Sequence, residues 1–528
     1  MSALKMSYAT SYSRLLSFVM ATAILLFAAA AHAAAPGITG TTFNLTAQPA
    51  YITQPDGQMV YSWGYGCDPL HPPSGYAPSA ISGTFCNSMQ IPGPTLIVTE
   101  GQTVTVNLRN GLPTAAGNTS ILFPGFKVTS PVGSGVAGLL TQEAAPGGTV
   151  TYTFTASSPG TRAYYSGTQG DLQVEMGLYG AIIVRPTSAP TGCTAVGSIP
   201  AHYLPEADFR LAASAYDHPK TCYDREYLFQ FSEMDPNIHA QALAQVTART
   251  GCTAGAARCS LNVPTEPYRP AYFMINGRSM PDDMDPNYSP QYPHQPYNGN
   301  PHMHPGELTL LRIIGQGRWQ HPFHEHGNHV RILGRDGNLI LSQTDLNSLA
   351  GPLLFTTTTT PGVAMDGIFY WTGKGLNWDA YGHNPNSKDP LAKLTCTPDA
   401  NGYNSADPTA LNYYEWCQDH NKPLQVAPFG DVAGGGPTTL PDPNLFTNGA
   451  WYGGSPYLGP DATIRAVGST GTTPPSGTIA NSPTGEAGFA FMWHSHNERE
   501  ITTNNIFPGG MLMMMLVDSR EFVIDESN

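Results

Sequence analysis

Two pairs of histidines carry the strongest chemical signal in the sequence. His324 and His326 stand two apart within His321-Pro-Phe-His-Glu-His-Gly-Asn-His329, and His494 and His496 repeat the spacing around Ser495. On an extended strand, residues i and i+2 project from the same face, so each pair presents two imidazoles to one side. Neutral imidazole is a good ligand for copper and zinc. Four such rings from two neighbouring strands, or three with a water, complete a mononuclear site with no help from the rest of the chain. The competing reading keeps the same histidines as hydrogen-bonded inter-strand residues on a scaffold whose metals have been lost, since folds outlast their sites. Glu325, Glu498 and Glu500 are the carboxylates near enough in sequence to turn toward such a site.

The elements that must position these rings read as strands. Val104, Val106 and Leu108 alternate with Thr103, Thr105 and Asn107, and Val150, Tyr152 and Phe154 alternate with Thr149, Thr151 and Thr153. That period of two marks half-buried strands. Further strands are expected at Gly177–Val184, Tyr227–Phe231, Tyr272–Gly277, Gly306–Ile314, Gly367–Trp371, Gly488–Trp493 and Met511–Val517. No long amphipathic helix competes, and Gly and Pro punctuate the runs, so an all-β sandwich architecture follows.

The chain has 528 residues with 56 Gly, 48 Pro and only 12% charged residues. An early basic and apolar segment ending at Ala31-His32-Ala33 reads as a secretory signal peptide over 1–35. It is too short for a membrane span, and nothing later approaches that length. The rest exceeds one core's usual size. We expect an N-terminal domain at 36–190, a connector at 191–221 and a C-terminal domain at 222–528, with an insertion at about 375–485. Without Lys5 and Arg14, 22 basic residues face 38 acidic ones, leaving a net charge of −16. That excludes nucleic acid and anionic membrane as expected partners. Eight cysteines lie as sequence neighbours: Cys67 and Cys86, Cys193 and Cys222, Cys252 and Cys259, Cys396 and Cys417. Four local disulfides in an oxidising compartment are the simplest pairing, although spacing alone leaves the connectivity open.

The motif His321-Pro-Phe-His-Glu-His-Gly327, with Gly93-Pro-Thr-Leu-Ile-Val98, Met274-Ile-Asn-Gly277 and Gly177-Leu-Tyr-Gly180, resembles the multicopper oxidases. The resemblance implies tandem cupredoxin-like Greek-key β-sandwiches, with the long insertion in the second. It also implies copper, with His324, His326, His494 and His496 as the metal set and His321 and Met511 as remnants of the type 1 site. The family's other ligands are changed. Ser495 stands where the type 1 cysteine belongs, and Glu500 where a later type 1 histidine falls. In the N-terminal domain Leu122, Pro124, Tyr165 and Gly167 take the places of four trinuclear-cluster histidines. None of them replaces imidazole, with the marginal exception of the Tyr165 phenol.

The expectation is therefore an exported periplasmic or extracellular protein that binds a single copper, or zinc, with limited oxidase chemistry on a small reductant or metal ion. Four-electron reduction of dioxygen is not expected. The alternative is a non-enzymatic copper-binding or surface protein. Two-domain relatives assemble as trimers, which implies a homo-oligomer as a further option. His302-Met-His304 reads as an exposed loop, the Met511–Met515 run as core, and Arg312 and Asp366 as scaffold.

Overall fold

The computed structural model describes residues 35–78, 86–191, 193, 213–374, 397–407, 413–416, 418, 454–458, 479–480, 488–518 and 524. The expected signal segment, most of the connector and most of the insertion lie outside the described residues, as do Cys396 and Cys417.

The alternating threonine strands build the first sandwich. Thr103–Asn110 pairs antiparallel with Thr149–Thr155, setting Val104 opposite Phe154, Val106 opposite Tyr152 and Leu108 opposite Val150. These six side chains are buried with Trp63, Tyr65 and Tyr164, while the intervening threonines face outward. Each such burial contributes about 1.5–3 kcal/mol, so register follows from the apolar face. This sheet runs in the order Met59–Cys67, Thr42–Thr53, Thr103–Asn110, Thr149–Thr155. The facing sheet runs Gly160–Tyr165, Tyr179–Arg185, Leu96–Thr99, Gly37–Thr39, Gly75–Ala77.

The second sandwich is built likewise. One sheet orders Tyr272–Ile275, Arg225–Met234, Leu308–Gly315, Ala364–Tyr370, Val330–Arg335 and Asn338–Leu339. The other orders His302–Met303, Leu512–Asp518, Gly488–Ser495, His321–Glu325 and Thr356–Thr359. Phe229, Phe231, Phe323, Phe369, Phe491 and Trp493 fill the space between them, and Met511, Met513 and Met515 are core as expected. The architecture is tandem cupredoxin-like β-sandwiches. Cys67–Cys86, Cys193–Cys222 and Cys252–Cys259 are disulfide-bonded, the local pairing expected from sequence.

One helix was not expected, and one expectation needs correction. A helix at Pro236–Ala248 packs Ile238 and Ala242 into the first sandwich's core. Asp235 caps it by accepting from the Asn237 amide at 2.9 Å, with Pro236 pre-set for the first turn. Its narrow apolar stripe hid it from a periodicity reading. His302-Met-His304 is not an exposed loop: His302–Met303 pairs with Leu516 and Val517, and His304 is buried.

A buried polar network joins the two sandwiches. Asp366 accepts from the Thr161 amide at 3.0 Å, from the Tyr216 hydroxyl at 2.6 Å and from Arg312 at 3.2 Å, while Arg312 also pairs with Glu226. All four of the ionised or hydroxyl partners in domain two and the connector are buried, which bears out the scaffold reading of Arg312 and Asp366.

Candidate metal centre

The two histidine pairs meet on one face of the second sandwich. Strand His321–Glu325 pairs antiparallel with Gly488–Ser495 in a register that sets His324 directly opposite His494. His326 and His496 follow just beyond their strands. The ring centroids lie 4.8 Å apart for His324 and His326, 5.2 Å for His326 and His494, 4.9 Å for His324 and His496, and 5.5 Å for His494 and His496. His324, His326 and His494 are buried and each offers a nitrogen within 4.8 Å of the others, whereas His496 is exposed at the rim.

A hydrogen bond sets the tautomer of His494. His494 Nδ1 donates to the Ser495 carbonyl at 2.7 Å, which puts its lone pair on Nε2, 3.2 Å from His326 Nε2. His324 Nδ1 hydrogen-bonds the Thr356 hydroxyl at 2.8 Å. Tetrahedral coordination at 2.0–2.1 Å separates ligand nitrogens by about 3.3 Å, so the His326–His494 spacing is already that of two ligands on one ion. Burial, helped by the neighbouring His494 and His496, pushes His324 down to about 4, and burial also lowers His494. At neutral pH these rings are therefore uncharged, the form that binds metal.

The carboxylates are distributed differently. Glu325 turns to the opposite face, where its buried carboxyl accepts from Thr357 Oγ1 at 2.9 Å and is pushed up to about 8 by burial. Glu498 is exposed. Glu500 is buried, and it faces His321 and Ser495 rather than the four rings. His321 bonds Glu233 through Nε2 and Glu500 through Nδ1, both at 2.9 Å. Met511 is buried in the core, its amide donating to the Glu500 carbonyl at 2.8 Å. Sequence reasoning missed Thr356 and the half-exposed Phe355, whose ring stands 5.7 Å from His324 at the rim. The run of threonines at 356–360, a strand-prone composition that pairs with His321–Glu325, was the available signal.

In the first sandwich, Leu122 and Tyr165 bridge one another, the Leu122 amide donating to the Tyr165 carbonyl at 2.7 Å. A Cβ on Gly167 would stand 2.8 Å from Leu122 Cγ, so leucine fills that corner.

A family profile described as multicopper oxidase matches residues 79–189. By that match residues 79–189 are similar to a multicopper oxidase domain. It is 40% identical over 96 residues to an L-ascorbate oxidase of Brassica rapa subsp. pekinensis, covering 18% of this chain and 16% of the relative. It is 36% identical over 115 residues to copper resistance protein A of Pseudomonas syringae pv. tomato, covering 21% and 18%. A blue copper oxidase structure from Nitrosomonas europaea aligns over 90% of this chain and 85% of its own with 14% identity and a TM-score of 0.42. The chain thus matches about a sixth of the length of the curated relatives.

The similarity implies copper, and the residues present fit it unevenly. The four imidazoles suit one copper ion. A blue type 1 centre does not fit, because Ser495 offers a hydroxyl in place of a soft thiolate and Glu500 an oxygen in place of imidazole. Nor does a trinuclear cluster, given Leu122, Pro124 and Gly167. Among the described residues no helix is long and apolar enough to cross a membrane.

Proposed function

We propose that this chain is an exported metal-binding member of the multicopper oxidase superfamily that holds one copper or zinc ion through His324, His326, His494 and His496. The observation that carries this reading is the convergence of four rings, with two Nε2 atoms 3.2 Å apart and the His494 tautomer set to present its own. Export is supported by the three disulfides and by the leader-like composition of residues 1–35. A bound copper with an open position supplies one-electron chemistry to a small reductant or metal ion. The chain's own residues hold the ion, keep His324 and His494 neutral, and leave His496 and Phe355 at the rim where a small molecule can approach.

A non-enzymatic copper-binding or surface role is the second reading, favoured by the carboxylates around His321 where an electron-entry centre would stand. Elemental analysis and electron paramagnetic resonance of the purified mature protein test the first. At most about one copper or zinc per chain and no intense band near 600 nm are expected from the ligand count. A blue protein with several coppers refutes it. His324→Ala with His496→Ala abolishes binding. Turnover of phenols, cuprous ion or manganous ion separates an enzyme from a binding protein.

A further inference from the structure

The buried cluster around His321 uses three segments that are distant in the chain. Glu233 lies near the end of strand Arg225–Met234, His321 opens strand His321–Glu325, and Glu500 sits in the segment that follows Gly488–Ser495. All three side chains are at most 1% exposed. Each imidazole nitrogen faces its own carboxylate oxygen at 2.9 Å. A neutral ring has one N–H, and its other nitrogen would turn a lone pair toward a carboxylate, so this geometry calls for protons on both nitrogens. The carboxylates also stand on opposite edges of the ring, where they cannot join one ring nitrogen on a common ion.

Both carboxylates are anchored further. Glu233 Oε1 accepts from the amides of Arg318 at 2.7 Å and Trp319 at 2.9 Å, and from the Tyr268 hydroxyl at 3.2 Å. Glu500 Oε1 accepts from Asn497 Nδ2 at 2.9 Å, and Glu500 Oε2 accepts from the Ser495 hydroxyl. Ser495 is the residue between His494 and His496. Its side chain points to the face opposite theirs, its hydroxyl accepts from the Asn497 amide at 3.2 Å, and the His496 amide donates to the Pro322 carbonyl at 2.8 Å. Holding Ser495 inward therefore holds both neighbouring imidazoles outward, toward His324.

We infer that Glu233, His321 and Glu500 form a metal-free cross-link which, acting through Ser495, positions His494 and His496 for the four-histidine site. The inference rests on the metal-binding reading above. An imidazolium between two carboxylates ties these three segments together. Against the cost of burying the ring, hydrogen bonds and charge from Glu233 and Glu500 push His321 up to about 9, in keeping with the doubly protonated form. These are positioning residues, and none of them touches the metal.

Two measurements on the full mature chain test this. In metal-free native protein at pH 7.5, nitrogen-15 spectra of the histidine rings should show His321, assigned by loss of its signal in His321→Gln, with protons on both nitrogens and slow solvent exchange. A single ring proton overturns the cross-link. Zinc titration of Ser495→Ala and Glu500→Gln should give a Kd raised by roughly tenfold to a hundredfold, the usual effect of removing outer-shell support. Ser495→Ala is the milder change and keeps the arm informative if Glu500→Gln does not fold. Native Kd in a folded Ser495→Ala protein overturns the positioning role. Failure of the native protein to bind zinc or copper overturns the four-histidine reading and the positioning role with it, while the ring-proton result still decides the cross-link.

Discussion

Asp366→Asn is the perturbation whose cost is most directly worked from the structure. Asp366 is 1% exposed and its two oxygens serve the Thr161 amide and hydroxyl, the Tyr216 hydroxyl and Arg312. Asparagine keeps the shape, but it removes the charge opposite a fully buried guanidinium and turns an NH2 toward groups that donate. Breaking a buried pair by removing one partner typically costs about 3–5 kcal/mol. Glu226 still faces Arg312, so the lower end, about 3 kcal/mol, is expected. Denaturant unfolding of the native and variant proteins measures it. The same substitution in an Arg312→Met background should cost clearly less, because the stranded charge is gone. A loss under about 1 kcal/mol in the single variant, or an undiminished loss in the double, would refute the reasoning.

Other substitutions probe the rest of the structure. Asp283 is fully buried, and burial, only partly offset by Arg278 and the backbone amides of Asp283 and Met284, pushes its carboxyl well above the usual carboxylate range. Since the unfolded chain ionises it near pH 4, stability should fall as pH rises beyond about 4. Asp283→Asn should remove that slope and raise the melting midpoint at pH 7; a lowered midpoint there counts against the account. Glu325→Gln should leave zinc affinity unchanged, because Glu325 bonds Thr357 on the far face, and a loss beyond tenfold in a calorimetric titration would make it a ligand. Replacing Cys67 and Cys86 together by serine opens a disulfide spanning 19 residues and should cost about 3 kcal/mol in denaturant unfolding. No change in the midpoint would show that the cross-link does not constrain the unfolded chain.

Much of the scaffold was legible because strand alternation has only two faces. The Val104, Val106 and Leu108 set and its partner Val150, Tyr152 and Phe154 are each read from spacing, and burial on one face leaves them a single register. The helix Pro236–Ala248 escaped for the converse reason: it buries only Ile238, His239 and Ala242, too few to print a period on the sequence. His302-Met-His304 looked like loop because its pairing partner, Leu516–Val517, lies far along the chain.

By itself the sequence determined which chemistry was on offer: imidazoles at strand spacing, no cysteine beside them, and serine, glutamate, leucine and glycine where the superfamily's other ligands belong. Residue type decides whether a thiolate or an imidazole exists at all. The tertiary structure decided which groups meet. It set His324 opposite His494, turned Glu325 away from them, and brought Glu233 and Glu500 to the two edges of His321. Those choices depend on strand register and on contacts between segments from 88 to 179 residues apart, which local spacing does not encode.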